Sequence, residues 1–282
     1  GPVWLSIRND CLVVEGSRSG TVTIALCDID ALILCHPQIS FTQAVLGRLS
    51  SAGIAVVCCD EKLRPSGVKL PIDANQMQRA RFQAQSSLAI PRRKRLWQAI
   101  VRAKVEAQGR TFQEFDGTDY GLLPMAKQVK SGDAGNLEAM AARRYWPLLF
   151  PDKKFKRRNE DDVRNHYLNY GYAVLRAAVV RSLCAAGLHP AFALQHHSPY
   201  NSLPLADDLM EPLRPAVDRA VRTEAARRLS LGETLVLDSD GKRALLSAFH
   251  ARYRIDGESR TILNIRACQL LSAAMTDNTL PF

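Results

Sequence analysis

Two periodicities divide this chain. From residue 3 to about residue 72 the apolar positions fall in short β-branched runs separated by turn signals. Residues 3–7, 11–15, 20–26, 31–35 and 53–59 read as strands, and Asn9-Asp10 between the first two is a hairpin signal. One helix interrupts them, because Ser40 can cap a run in which Ala44, Val45 and Leu49 share a face. The stretch from Arg64-Pro65-Ser66-Gly67 to Lys69-Leu70-Pro71 ends that pattern, and beyond Asp73 the apolar spacing shifts toward that of a helix. Segments 74–89, 92–109, 119–130, 137–149, 161–187, 205–229, 241–253 and 258–276 all carry it. The expected fold is therefore α+β in two domains: a small N-terminal β-rich domain over 3–72 and a larger all-α domain over 74–282. No internal repeat or low-complexity tract argues for a solenoid or a disordered tail.

Composition narrows the function. A chain of 282 residues, 46% of them hydrophobic, can bury a substantial core. Its formal charge of +10 favours acidic partners, of which nucleic acid is the commonest. Seven cysteines, mostly inside apolar strings and without a CxxC pair, read as reduced core thiols, not as a zinc ribbon or a disulfide framework. No apolar run reaches transmembrane length and no charged-then-apolar leader is visible, so the expectation is a cytoplasmic protein that does not enter a membrane.

Three segments offer the makings of a divalent-metal site. Glu138 lies among small apolar residues in Gly135-Asn136-Leu137-Glu138-Ala139, where a carboxylate needs a partner. That partner is an ion, or Arg143 or Arg144, or the positive end of the helix itself. The loop Leu194-Gln195-His196-His197-Ser198 carries adjacent histidines. In Asp207-Asp208-Leu209-Met210-Glu211, Asp208 and Glu211 share a helix face, or Asp207 or Asp208 simply caps the helix. Carboxylates with imidazole suit Mg2+ or Mn2+ better than structural zinc, and such an ion beside a basic surface implies phosphodiester chemistry. Two basic runs are candidates for DNA contact: Arg92, Arg93, Lys94 and Arg95, then Lys153, Lys154, Lys156, Arg157 and Arg158. Arg143 and Arg144, on the Glu138 segment, join them. Tyr145, Trp146 and Tyr172 have the chemistry to stack on bases, though aromatics at helical spacing serve equally as core.

Taken in order, Gly135-Asn136-Leu137-Glu138-Ala139, Ala142-Arg143-Arg144-Tyr145-Trp146, Leu168-Asn169-Tyr170-Gly171-Tyr172 and His196 followed by Asp208-Leu209-Met210-Glu211-Pro212 make a specific signature. With it the sequence resembles the CRISPR-associated integrases of spacer acquisition, the Cas protein numbered one, in its type II version. The resemblance implies that Glu138, His196 and Glu211 are catalytic metal ligands and that Asp208 serves the same site. His197 is a possible substitute for His196, because the residue before the histidine departs from the family's glycine. It further implies a metal-dependent DNA endonuclease and integrase that inserts protospacer DNA into a CRISPR array by 3′-hydroxyl transesterification. The implied partners are double-stranded DNA with 3′ ends and the leader-repeat, a second copy of the chain, and a small ferredoxin-like companion, the Cas protein numbered two, in a heterohexamer. The N-terminal domain would then make dimer and partner contacts. Two other readings stay open: a non-catalytic DNA-binding scaffold of the same assembly, and a metal-dependent hydrolase of a small phosphorylated substrate.

Overall fold

The computed structural model describes residues 2–16, 20–29, 31–34, 36–59, 65–69, 76–152, 155–196, 198–250, 252–255 and 258–261. Strands β1 (Val3–Arg8), β2 (Cys11–Gly16) and β3 (Gly20–Ala25) form an antiparallel meander. Asn9 and Asp10 both take positive φ at its first turn, the backbone that a two-residue hairpin needs. After β4 (Ala31–Leu34), strand β5 (Ile39–Phe41) adds parallel to β1, completing a sheet of order β3-β2-β1-β5. Helix α1 (Gln43–Ser51) leads to β6 (Ala55–Cys59) and β7 (Pro65–Lys69), which with β4 make a second sheet of order β4-β6-β7. Leu5, Leu12, Val45, Leu49, Ile54 and Val56 close one core between these elements.

Several sequence expectations shift here. Ser40 lies in β5 and caps nothing; Thr42 occupies the N-cap of α1, without a side-chain hydrogen bond. Val45 and Leu49 are buried as expected, but Ala44 points outward and Leu46 packs in its place. Strands β5 and β7 were not anticipated, because three residues in one case and a Pro-Ser-Gly start in the other leave no alternation to read. Of the cysteines, Cys11, Cys59 and Cys184 are half-buried and Cys27 and Cys58 exposed, and these five form no disulfide; none of the five is a core residue.

From α2 (Gln78–Ser86) onward the described chain is helical almost to its end. Helix α3 (Ile90–Asp116) is the longest, starting with Pro91 in its first turn and stopping at Gly117 in the left-handed conformation. It outruns the expected 92–109 because Gly109 interrupts nothing: the missing Cβ lets α4 (Leu122–Lys127) approach, with Leu123 against the spot. There follow α5 (Leu137–Tyr145), α6 (Val163–Ala185), α7 (Pro204–Met210), α8 (Arg214–Ser230) and α9 (Ser239–His250). The single helix expected over 205–229 is broken by a 3-10 turn at Glu211–Leu213. Pro212 and Pro215 remove the N–H groups that would bond back four residues to Asp208 and Glu211. The expected 258–276 helix begins instead as strand β9 (Glu258–Thr261), paired with β8 (Arg252–Ile255); the rest of that segment lies outside the described residues. The helical core gathers Trp97, Val101, Phe112, Tyr145, Leu168, Leu175 and Val217, and Ile33 of β4 packs against it. No helix among the described residues is long and apolar enough to cross a membrane.

Candidate functional site

Glu138 owes its position to a cap. Asn136 adopts positive φ, and the Asp133 carboxylate accepts hydrogen bonds from the N–H groups of Leu137 (2.9 Å) and Glu138 (3.1 Å), so α5 starts with Glu138 in its first turn. The Glu138 side chain meets neither Arg143 nor Arg144. Lys104, near the middle of α3, donates to its Oε1 at 2.6 Å. The same ammonium lies 2.6 Å from Oε2 of Glu211, which is 5% exposed. Two carboxylates from different elements therefore face each other across one ammonium. Arg214 approaches the other oxygen of Glu211 at 3.2 Å. Burial draws the Lys104 pKa down, but Glu211 and Glu138 outweigh it, and the ammonium is held above its ordinary value.

His196 is held from behind. The fully buried Asp208 carboxylate accepts from the backbone N–H groups of Leu194 (2.6 Å), Gln195 (3.1 Å) and His196 (3.3 Å), and pairs with Nδ1 of His196 at 2.6 Å. An ionised carboxylate only accepts, so Nδ1 carries the proton and Nε2 presents the lone pair in the neutral ring. The hydrogen bond to Asp208 is the main reason the His196 pKa is raised; burial opposes it, and the charges of Asp208, Glu211 and Asp207 reinforce it. Trp97, two helical turns before Lys104 on α3, meets the imidazole in a T-shaped contact with centroids 5.8 Å apart. Asp207 faces elsewhere: Arg176 donates to both of its oxygens and Asn201 to one, fixing the loop that leads into α7. Neither Asp207 nor Asp208 is a helix cap, since α7 starts at Pro204.

Beneath this layer, Asp218 of α8 accepts hydrogen bonds from Tyr145 (2.9 Å) and Tyr172. Burial raises the Asp218 carboxyl to about 6 despite those bonds and the nearby charges of Arg214 and Arg157. Both tyrosines are buried, with hydroxyl pKa values raised well above the ordinary, first by burial and then by Asp218. They belong to the core and are not free to stack on bases.

The basic candidates divide. Arg143, Lys156, Arg158, Lys94 and Arg95 are exposed, and Arg92 and Arg93 half-buried. Arg144 donates to the Tyr120 carbonyl at 3.0 Å. Arg157 is spent inside the protein: it bonds Asn165 (3.1 Å) and Asn169 (2.8 Å) and lies over the rings of Trp146 and Tyr172. These contacts hold the half-buried guanidinium against the protein, so Lys156 and Arg158 are the more open to a phosphate among the described residues of this run. Lys153, Lys154 and His197 lie outside the described residues.

Among the described residues no three His, Cys, Asp or Glu side chains converge closely enough to hold an ion as they stand, because Lys104 stands between the two glutamates. The donor chemistry nonetheless fits a hard divalent cation. It comprises two carboxylates sharing one positive charge, an imidazole nitrogen freed by Asp208, and a buried Glu211 Oε2 that lacks a well-formed hydrogen bond despite its ion pair. Asp208 serves that set by orienting His196. Sequence reasoning missed Lys104, although a signal existed: with Trp97, Val101, Gln108 and Thr111 it occupies the buried stripe of α3, where a lysine needs a reason.

The family model described as CRISPR associated protein Cas1 matches residues 2–251. A CRISPR-associated endonuclease Cas1 from Neisseria meningitidis serogroup C (strain 8013) is 39% identical over 217 residues, covering 76% of this chain and 70% of that protein. Among solved structures, a casposase bound to integration product superimposes with a TM-score of 0.79 at 19% identity, over 99% of this chain and 89% of that one. A chain of a Cas6-RT-Cas1–Cas2 complex gives a TM-score of 0.73 at 21% identity, over 99% of this chain and 34% of that one.

Proposed function

The chain belongs to the CRISPR associated protein Cas1 family, and from that premise we propose that it is a metal-dependent DNA endonuclease and integrase. In this reading it joins the 3′-hydroxyl of protospacer DNA to a CRISPR repeat. The observation that carries the proposal is the pairing of Glu138 with Glu211 across one cation, beside a histidine whose ring a buried aspartate orients. Glu138, Glu211 and Nε2 of His196 would hold Mg2+ or Mn2+, which when bound supplies a Lewis acid for the phosphoryl oxygens and the attacking hydroxyl. Asp208 keeps the proton of His196 on Nδ1, so that Nε2 stays a donor. Arg214 fixes one oxygen of Glu211 and leaves the other directed inward. Exposed Arg143, Lys156 and Arg158 are placed in this reading to take DNA phosphates.

The attacking group is the DNA 3′-hydroxyl and not a protein nucleophile. One phosphodiester bond forms as the 3′-oxygen attacks phosphorus and one breaks as the target strand's 3′-oxygen leaves; the attacking hydroxyl gives its proton to solvent and the leaving oxygen takes one up, so a new 3′-hydroxyl is released. Tyr145, the tyrosine nearest to Glu138 in sequence, is unsuited to a covalent step, because its hydroxyl is buried and committed to Asp218. The names of two fold neighbours, a casposase bound to integration product and a Cas6-RT-Cas1–Cas2 complex, support extending the proposal to DNA and to a Cas2-type companion; a homodimer within a heterohexamer belongs to the same proposal and rests on the sequence resemblance alone.

One observation favours the competing scaffold reading: Lys104 already bridges both glutamates, an arrangement that can serve as a structural ion pair. Strand transfer with Mn2+ separates the two. Glu138→Gln and His196→Ala should abolish joining while the chain stays folded, and 3′-deoxy DNA ends should not be joined by the parent. A parent that binds DNA but joins none of it with Mn2+ would leave the scaffold reading standing, and full joining by Glu138→Gln would remove Glu138 from the site.

A further inference from the structure

We propose that Lys104 is a placeholder cation, occupying between Glu138 and Glu211 the position that a divalent ion takes in the working enzyme, so that lysine and ion exclude each other. The inference rests on reading those glutamates as ion ligands, and adds a role for a residue outside the ligand set.

Three features carry it. The ammonium is equidistant from the two carboxylates, 2.6 Å from Oε1 of Glu138 and 2.6 Å from Oε2 of Glu211. Glu138 and Glu211 would hold an ion with the same carboxylates that hold the ammonium, and two cations sharing them would repel strongly in a poorly solvated site. Lys104 is also built in, and not a surface chain that has wandered inward. Its side chain is 13% exposed and leaves α3 next to the fully buried Val101 and Val105. Finally, the pairing satisfies charge without satisfying direction. Oε2 of Glu211 is buried and close to the ammonium, yet no well-formed hydrogen bond reaches it. Arg214 would remain on Oε1 after the exchange, so Glu211 need not move when the lysine leaves.

The consequence is a site that stays assembled without metal and binds metal more weakly than its ligands alone would. Two carboxylates facing each other without a counterion would repel and splay; the lysine prevents that at the expense of competing with the ion. Because the lysine stem is long and flexible, its ammonium can withdraw by rotation alone, with no shift of α3.

The test is calorimetric titration of the full chain with Mn2+, without DNA, for the parent, Lys104→Met, Lys104→Arg and Glu138→Gln. Lys104→Met should bind Mn2+ about tenfold tighter or more than the parent, inside the range typical of coupled binding events, whereas Lys104→Arg should bind no tighter. Without metal, Lys104→Met should melt below the parent, and saturating Mn2+ should restore most of that loss because the ion replaces the missing charge. Equal or weaker Mn2+ binding by Lys104→Met, or a melting loss that Mn2+ leaves untouched, overturns the proposal. Glu138→Gln tells the two failures apart: if it binds Mn2+ like the parent, the ligand reading itself is wrong, whereas if it loses binding while Lys104→Met matches the parent, only the placeholder role fails.

Discussion

Replacing Asp208 by asparagine separates a ligand from a residue that orients one. In the parent a single buried carboxylate accepts from three backbone N–H groups and from Nδ1 of His196. An amide of the same shape keeps one oxygen and turns the other into a donor, so about half of those contacts lose their acceptor. Each buried donor left unpaired costs about 1–3 kcal/mol. The loop can relax toward water on the exposed side of His196, which puts the net loss in the lower part of the range, about 2–4 kcal/mol. The imidazole, no longer held up by the hydrogen bond that dominates its shift, would exchange tautomers, and Mn2+ affinity should fall by about 10- to 100-fold without disappearing. Urea unfolding in metal-free buffer reads the first effect and Mn2+ titration the second. A variant as stable as the parent that binds no Mn2+ would refute the argument: Asp208 would then be a ligand, and its oxygens would not belong to the 194–196 loop.

Two further outcomes follow from the core around the site. A methyl on Gly171 would enter the van der Waals shell of Val217 where α6 meets α8, so Gly171→Ala should lose about 1–3 kcal/mol to overpacking although alanine is the better helix former by about 1 kcal/mol; a single variant more stable than the parent in urea would reverse the sign of the argument. Asp218 is raised from 3.8 to about 6 on folding, so its favourable contribution is full below pH 4 and lost as pH rises through about 6. The stability difference between the parent and Asp218→Asn should therefore move against the parent by about 2 kcal/mol from pH 4 to pH 7, and parallel curves would mean that Arg157 and Arg214 keep the carboxylate ionised.

Local patterns were legible where one face of an element is apolar and the other polar. Helix α1 falls close to its expected place for that reason; the first hairpin was legible through its Asn9-Asp10 turn, and α6 through its length without a Pro or a turn signal. What failed depended on partners distant in sequence. β5 is defined by pairing with β1, not by its own three residues, and Cys58 of β6 ends an apolar string yet reaches the surface, because a strand alternates faces whatever its composition. The site shows the same division. Glu138, His196 and Glu211 were nominated from residue type and resemblance, and the structure brings Glu138 and Glu211 to one cation, with the charge of Glu211 acting on His196. The identity of that cation was not legible, because Lys104 precedes Glu138 by 34 positions and nothing local couples them. Nor was the service of Asp208, whose spacing to Glu211 suggests a shared helix face while its carboxylate turns back onto the loop before it.

The positions of the two glutamates are set by more than their own contacts. Helix α8 carries Arg214, Asp218 and Arg222 four residues apart, a charged stripe turned toward the interior where most helices of this size present aliphatic residues. Each charge has its own partner: Glu211 for Arg214, Tyr145 and Tyr172 for Asp218, and Asp116 at the end of α3 for Arg222, with Arg219 reaching Glu114 beside it. The buried ones among these pairs add little net stability over an apolar interface, but breaking one leaves an uncompensated charge and costs several kcal/mol, about 3–5, whereas the exposed Glu114 pair is worth less. Sliding α8 along α3 by one turn would break Arg222–Asp116 and Arg219–Glu114 together, so these two pairs oppose a change of register between the helices. Glu211 immediately precedes α8, and Lys104 lies on α3. The register of those two helices therefore determines whether Glu211 meets the cation opposite Glu138, and a substitution in the stripe more than two turns from the site should disturb the site before it disturbs the fold.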